Sequence, residues 1–266
     1  MDLLVFSSGI AYLLATIAIV SRLFHSQGPN KKVYLPLALL AIVTDIIYKV
    51  LTFVVYSGQE SLNISLPNLI SLVTLFISFV VTIFSFRFKL NLLLPVIYSF
   101  SGIWQLLLIL ILPDEIIPLA NVDVVLISHI SLALVAYCIL LIATLFAFQV
   151  NYINFKLKSK NLQAVANLPP LMQVEKQFFS ILIVGTVMLL ASLVTGLIFL
   201  ENFISKENSH KTVLSFIALF LYGLILWGHF REGWRGHRVL VLSITASLLL
   251  TLSYFGSRFV KEFLLT

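Results

Sequence analysis

Charged residues are scarce in this chain of 266 residues: Asp, Glu, Lys and Arg together make up 11 %, whereas hydrophobic residues make up 60 %. About a quarter of the residues in a soluble globular domain are charged. The composition therefore excludes a soluble protein and indicates an integral membrane protein. Because a membrane-spanning helix takes about 20 apolar residues, the length allows roughly eight spans and leaves no room for a separate soluble domain.

Cysteine is almost absent as well. Cys138 is the only one, and it lies inside an apolar run. The chain therefore cannot form an internal disulfide, and one thiol supports neither a zinc site nor an iron–sulfur site. We interpret Cys138 as a small buried hydrophobic residue.

Several functional signals are also missing. The N-terminus has no basic segment and no A-x-A-like cleavage site, so we expect a retained first span rather than a signal peptide. The chain contains no Walker motif and no GxGxxG, and its carboxylates are not paired as hydrolysis requires. We therefore predict a protein that is not an enzyme.

Eight apolar runs are present, and each is long enough to cross a bilayer. They predict an all-α fold, a single integral-membrane domain over residues 1–266 made of a bundle of about eight transmembrane helices. The seventh run is the shortest. The runs cover residues 3–21, 34–56, 66–86, 90–112, 124–150, 178–200, 212–228 and 238–260.

The short connections predict the orientation. Twelve Lys and Arg residues fall in one alternate set of connections, whereas four fall in the opposite set and the termini. Because basic residues accumulate on the cytoplasmic side, we predict that both termini are external. The net charge of +6 is then a matter of membrane orientation, and we predict no nucleic-acid partner.

The longest predicted inner connection covers residues 151–177. We expect the fifth helix to extend into it as far as Lys160, before Pro169 and Pro170 interrupt the helix, because proline lacks an amide donor and clashes inside a helix. Two interpretations stay open: a solvated basic loop, or a docking surface for anionic lipid or a partner.

His129 lies five residues into the fifth run, at the predicted outer membrane boundary. A polar side chain there is costly unless it faces water, protein or a ligand. Neutral imidazole is a common ligand of haem iron, although a lone histidine near an interface is more often simply hydrogen-bonded. At helical spacing His129 shares a face with Leu132, Ala133 and Ala136, where small residues allow close approach of a helix or a planar ligand.

Asp45 and Lys49 are two charged residues near the middle of the second run, four positions apart. That spacing places them on one helix face, where they can pair. They form either a self-neutralising structural pair or a polar lining of an internal pocket, in which Lys49 is available to an anionic group such as a haem propionate.

The connection between the last two runs, residues 229–238, reads HFREGWRGHR and holds three arginines and two histidines. Its basic residues predict a cytoplasmic hairpin loop, in which Gly233 and Gly236 suit a tight turn and Trp234 suits the headgroup layer. His229 lies at the inner end of the seventh run and is a candidate for an inner-side site or a polar residue at headgroup level.

The amino-acid sequence of this loop and of the segment after it contains GWRG followed by YFGSR. It resembles the C-terminal segment of the cytochrome c assembly family, the CcsA/CcmC/HemX-like membrane proteins. Within this family, the sequence resembles the YpjD-type inner-membrane branch. HISLALVAY in the fifth run, RFKLNLLLPVIYSF at the fourth and LKSKNLQAVANLPPLMQVEK before the sixth also fit. The resemblance is strongest over residues 68–266.

This resemblance implies a polytopic helical protein of the bacterial inner membrane that binds or moves haem in cytochrome c maturation. It makes His129 the external haem-iron ligand, which is the only metal contact predicted, and it aligns His229 with a histidine that precedes GWRG. Asp45 stands where relatives often carry a histidine. Two family features are missing, namely the tryptophan-rich external WWD segment and a second external histidine after the final span.

Three functional hypotheses follow. The first is a haem-binding or haem-handling protein, or an accessory of cytochrome c biogenesis, whose partners are the bilayer, haem and other membrane proteins of that pathway. Its cofactor-binding residues would be His129, His229, Lys49 and Asp45. The second is a permease for a small solute or ion that uses Asp45 and Lys49. The third is a membrane scaffold or regulator that has lost haem binding.

Overall fold

Eight α-helices make up most of the part of the chain that the computed structural model describes, which is residues 2–23, 28–57, 61–63, 65–88, 90–110, 116–118, 124–160, 168–199 and 209–256. The predicted all-α polytopic fold is confirmed. The helices are α1 (Asp2–Val20), α2 (Lys31–Ser57), α3 (Leu66–Arg87), α4 (Leu93–Leu108), α5 (Val124–Lys158), α6 (Leu171–Phe199), α7 (Ser209–Glu232) and α8 (His237–Thr251). A π-helical turn, Leu252–Gly256, continues α8.

Seven of the eight helices in the described residues are long and apolar enough to cross a membrane, α8 being counted with its π-helical turn. The exception is α4, which has 16 residues, or about 24 Å at the usual helical rise. The seventh apolar run is the shortest in the sequence, but the helix that contains it, α7, has 24 residues. The polar residues on both sides of the apolar run are part of the same helix, because a helix depends on backbone hydrogen bonds and does not require apolar side chains.

The connection after α5 begins as we predicted. The helix extends past its apolar run to Lys158 and gives way to a turn in which Lys160 has a φ of 58°. α6 begins at Leu171, directly after Pro169 and Pro170, and therefore seven residues before the apolar run. Residues 161–167, the middle of this connection, lie outside the described residues.

The chain divides into two compact units. In the N-terminal unit α1 packs against both α2 and α4, and α3 packs against α2 and α4. A two-stranded antiparallel ribbon joins β1 (Ser61–Asn63) to β2 (Ile116–Pro118), with Leu62 opposite Ile117. This ribbon was not predicted, because three-residue strands carry no periodic signal.

In the C-terminal unit α5 packs along the length of α6, and α7 and α8 form a hairpin that contacts both. Small residues allow the close approach: a Cβ at Gly185 would lie 2.8 Å from the side chain of Leu140. Ala133, Ala136 and Ala143 are buried on α5. Large apolar side chains, among them Phe79, Phe100 and Phe220, are exposed on the outside of the helices, as lipid-facing residues are.

Candidate functional site

Asp45 and Lys49 belong to a polar network inside the N-terminal unit. Gln105 of α4 donates its amide to Asp45 Oδ2 at 2.7 Å and to Ser71 Oγ of α3 at 2.9 Å. Lys49 Nζ donates to the same Ser71 oxygen at 2.6 Å. The two charged groups are therefore bridged by a hydroxyl and an amide, and the structure, over the residues it describes, records no direct ion pair between them.

The network is closed around the carboxylate. Asp45 is 1 % exposed and Gln105 is fully buried, whereas Lys49 is only partly buried and places its ammonium 5.1 Å from the centre of the Tyr48 ring. Among the described residues, Asp45 Oδ1 and Gln105 Oε1 have no hydrogen-bond partner. An unsatisfied buried acceptor is costly, and both of these acceptors belong to side chains that are joined by the Gln105–Asp45 hydrogen bond.

His129 is half-buried near the start of α5. Its imidazole forms a polar contact with the backbone of Ser192 in α6, whose carbonyl also accepts a hydrogen bond of 2.8 Å from the Thr195 hydroxyl. Metal-ligating histidines usually donate their second ring N–H to such an acceptor, which fixes the tautomer and orients the ring. The chemistry of His129 therefore fits an axial ligand of haem iron.

Two turns further along α5, Tyr137 connects His129's helix to the π-helical turn. The Tyr137 hydroxyl and Thr251 Oγ1 share a hydrogen bond of 3.0 Å, and the Tyr137 ring lies 5.5 Å from the rings of both Tyr254 and Phe255. The structure thus joins two segments that carried the family resemblance, HISLALVAY and YFGSR. A π-helical turn places an extra residue in the helix and is frequent at functional sites.

The basic hairpin loop folds onto the end of α7. Gly233 has a φ of 65°, which ends the helix, and the amide of Trp234 donates to the Gly228 carbonyl at 3.0 Å. The Trp234 ring then covers Gly228, where any Cβ would collide with it. Arg235 Nε contacts Glu175 Oε1 of α6 at 3.1 Å, so the loop also attaches to the start of α6.

His229 is part of this packing. Its ring stacks on Phe179 with centroids 3.4 Å apart, and its Nδ1 lies 3.3 Å from the Trp234 carbonyl oxygen. One ring face and one nitrogen are thus engaged within the protein. His229 lies at the end of α7 and His129 at the start of α5, which are opposite ends of the C-terminal unit. The structure does not bring these two histidines together.

Two residues of the polar network were missed by the sequence analysis. Ser71 and Gln105 bridge Asp45 to Lys49, and each lies in an apolar run of its own. A glutamine inside the apolar run of residues 90–112 was a usable signal, because a buried amide requires hydrogen-bond partners. The pairing itself needs the packing of α2, α3 and α4, which one sequence does not reveal.

Comparison with known proteins identifies the class of this arrangement. The sequence profile of the cytochrome C assembly protein family matches residues 31–265. The chain therefore belongs to the cytochrome c assembly protein family, as the sequence resemblance predicted, and it is a multi-pass protein of the bacterial inner membrane.

Among particular relatives, the chain is similar to the inner membrane protein YpjD of Escherichia coli K12, with 38 % identity over 253 residues, or 95 % of each chain. It is also 32 % identical over 140 residues, 52 % of each chain, to an uncharacterized 28.8 kDa protein of Azospirillum brasilense. No solved structure matches it.

Proposed function

We propose that this protein binds haem in cytochrome c biogenesis and that His129 is the iron ligand. The family supports the pathway, and one structural observation supports the residue: His129 is half-buried near the end of a membrane helix, with its ring oriented by the Ser192 backbone. Bound haem would supply an iron centre, and the imidazole of His129 would ligate it.

The neighbourhood of His129 limits how a ligand reaches it. Ala133 and Ala136, which share its helix face, are 5 % and 0 % exposed. They serve the close packing of the bundle and do not line an open surface. A planar ligand at His129 is therefore held near the start of α5, where the helix face is more exposed, and not deeper along the same face.

The other proposed cofactor-binding residues differ in what supports them. Lys49 is partly exposed and carries an ammonium that can meet an anionic group, whereas Asp45 is enclosed by Gln105. His229 keeps one nitrogen and one ring face engaged in the loop packing. The proposal that these three residues take part in a haem site stays a prediction.

The absorption spectrum of the detergent-purified protein, before and after haem is added, tests the proposal. We expect a Soret band in the wild type and its loss or a strong shift in His129→Ala, because alanine offers iron no lone pair. His210→Ala is the matched control, since His210 is exposed at the start of α7, and should keep the wild-type spectrum.

Two results would contradict the proposal. An unchanged spectrum in His129→Ala would remove the ligand assignment while leaving haem binding in place. A wild type that shows no Soret band after haem addition would instead support a scaffold that has kept the family fold. Two absences favour this second candidate: the tryptophan-rich segment and the external histidine after the final span.

A further inference from the structure

The α7–α8 hairpin carries two arginines whose charges the protein leaves unpaired. Arg231 lies in the last turn of α7 and Arg238 in the first turn of α8. Both side chains are exposed, and within the part of the chain that the structure describes neither forms an ion pair, whereas Arg235 between them contacts Glu175. Because α7 and α8 pack against each other as a hairpin, the two arginines lie at the same end of it, one on each helix.

One side of the hairpin faces away from the other helices of the C-terminal unit. α7 contacts α6 and α8 contacts α5, so the bundle covers the opposite side. On the uncovered side, each helix has a column of exposed apolar side chains that leads to its arginine at intervals of three, four or seven residues, which define one helix face. We call the two columns and the two arginines the hairpin surface. The columns are Ile217, Phe220 and Trp227 before Arg231, and Val241, Leu248 and Leu252 after Arg238.

The length of the columns matches one leaflet of a bilayer. Phe220 precedes Arg231 by 11 residues, and Leu248 follows Arg238 by 10 residues. At the helical rise these separations are about 16 Å and about 15 Å, and half of the hydrocarbon core is about 15 Å. With the apolar columns among the acyl chains, both arginines therefore lie at the level of the lipid headgroups.

Two exposed aromatic rings beside the arginines are held by the loop. The Trp227 ring meets the Trp234 ring edge-on with centroids 6.5 Å apart, and the Phe230 ring lies 5.2 Å from the His229 ring. Trp227 is nevertheless 54 % exposed and Phe230 67 % exposed. Rings that are fixed on one side and open on the other form a preformed surface for a ligand, because little conformational entropy is lost when the ligand binds.

The charge on the hairpin surface is positive. Glu232 is the only carboxylate within residues 229–238, and its spacing aligns it with Ile225 and Gly228, which are buried on another side of α7. A guanidinium group presents a planar set of N–H donors that bonds phosphate oxygens in pairs. Two unpaired guanidinium groups at headgroup level therefore favour a phosphate that carries no cationic group of its own.

We propose that the hairpin surface binds an anionic phospholipid, with its phosphate held by Arg231 and Arg238 and its acyl chains along the two apolar columns. This binding goes beyond the proposed haem function and does not depend on it. A soluble acidic peptide offers carboxylates to the arginines but nothing that covers the apolar columns. Inorganic phosphate fits the arginines alone, whereas a phospholipid fits both parts of the surface.

Native mass spectrometry of the full-length, haem-free protein tests the proposal. The protein is released from mixed micelles that contain equal amounts of phosphatidylglycerol and phosphatidylethanolamine with the same acyl chains, and the retained lipid is identified by its mass. We expect the wild type to retain one phosphatidylglycerol several-fold more often than phosphatidylethanolamine, because the ammonium group of the second lipid is repelled by the two arginines.

The double variant Arg231→Gln/Arg238→Gln should retain the two lipids equally, since glutamine keeps a polar side chain but removes the charge. Arg87→Gln is the matched control. Arg87 is the exposed last residue of α3, and α2 and α4, which pack against α3, contain no arginine. The control should therefore keep the wild-type preference.

Tryptophan fluorescence locates the bound lipid. Trp104→Phe leaves Trp227 and Trp234, both in the hairpin, as the emitting residues. Phosphatidylglycerol with brominated acyl chains should quench this emission at several-fold lower concentration than brominated phosphatidylethanolamine does. The difference should disappear when Arg231→Gln/Arg238→Gln is added.

Three results would overturn the proposal. One is equal retention of the two lipids by the wild type, and another is an unchanged preference in Arg231→Gln/Arg238→Gln. The third is displacement of phosphatidylglycerol by millimolar inorganic phosphate, which would mean that the arginines bind phosphate without the acyl chains. Because all measurements use haem-free protein, failure of the haem proposal does not change these results.

Discussion

Gly228 packs so closely against the Trp234 ring that the addition of one carbon atom, a Cβ, would disturb the local packing. Its Cβ position is occupied by the Trp234 ring, so glycine is required there by space and not by backbone conformation. The same helix contains Gly223, whose Cβ would meet nothing within 4 Å. These two glycines give opposite predictions for the same substitution.

We expect Gly228→Ala to destabilise the protein by about 1–3 kcal/mol, the usual cost of overpacking, because the new Cβ displaces the Trp234 ring from its position against α7. Gly223→Ala should instead raise the stability by about 0.5–1 kcal/mol, since alanine restricts the unfolded chain more than glycine does. Thermal unfolding of the full chain in detergent measures both, and a neutral Gly228→Ala would show that the loop repacks without cost.

The charged residues show how far sequence reasoning reaches at this scale. Asp45 and Lys49 were predicted to share a helix face, and the structure places both in one network. Their direct pairing, one of two alternatives, is replaced by the Ser71 and Gln105 bridge. A charged residue inside an apolar run can be recognised in a sequence. The hydroxyl or amide of another helix that forms its hydrogen bond cannot be identified from the sequence.

At the scale of elements, the π-helical turn is held in place by Ser253. Its hydroxyl donates to the Lys211 carbonyl at 2.8 Å and lies 2.8 Å from Ser215 Oγ. Because Ser253 has one hydroxyl hydrogen, Ser215 is the donor in the second bond. The end of α8 is thereby attached to the start of α7, and Tyr254 and Phe255 are brought against Tyr137.

Ser253→Ala should lower the free energy of unfolding by about 1–3 kcal/mol, because it leaves the buried Ser215 hydroxyl and the Lys211 carbonyl without this partner. Thr245→Ala is the control, since Thr245 is exposed and bonds its own helix at Val241. Unfolding of both variants in detergent gives the comparison. Equal midpoints would mean that the π-helical turn is held by its aromatic contacts alone.

The helices themselves were predictable, but their ends were not. Long apolar runs predicted each of the eight helices in the described residues, and seven of these helices are long enough to span a bilayer. The start of α6 and the end of α7 lie in polar sequence. The start of α6 is set by Pro169 and Pro170, and the end of α7 is set by Gly233. The π-helical turn left no signal in the apolar pattern, because one extra residue does not change composition.

At the scale of the whole molecule, the distribution of Lys and Arg makes a prediction that the fold does not test. Both termini should be external. A reporter fused after Lys160 or Arg235 should behave as cytoplasmic, and one at Asn121 or after Thr266 as external, because basic connections stay inside. A cytoplasmic reporter signal at Thr266 would invert this topology or remove one span, for which the 16-residue α4 is now the first candidate.

Family membership was predicted from the motifs and is confirmed over residues 31–265. Two segments that carried the resemblance, HISLALVAY and YFGSR, meet in the structure where the Tyr137 ring contacts Tyr254 and Phe255. Neither segment alone indicates the function of this contact. The assignment of His129 as a haem ligand stays a prediction, which the absorption spectrum tests.

The length of α5 allows the depth of its residues in the bilayer to be estimated. Its 35 residues measure about 52 Å, more than the 40–45 Å of a bilayer with its headgroups. Lys156 lies over the rings of Tyr152 and Phe155, a pairing typical of the water boundary. With Tyr152 at that boundary, Cys138 lies near mid-membrane and His129 about 14 Å beyond it. His129 therefore lies within the apolar layer but close to its edge, so a ligand bound by this side chain would be bound at the edge of the hydrocarbon layer and not at its centre.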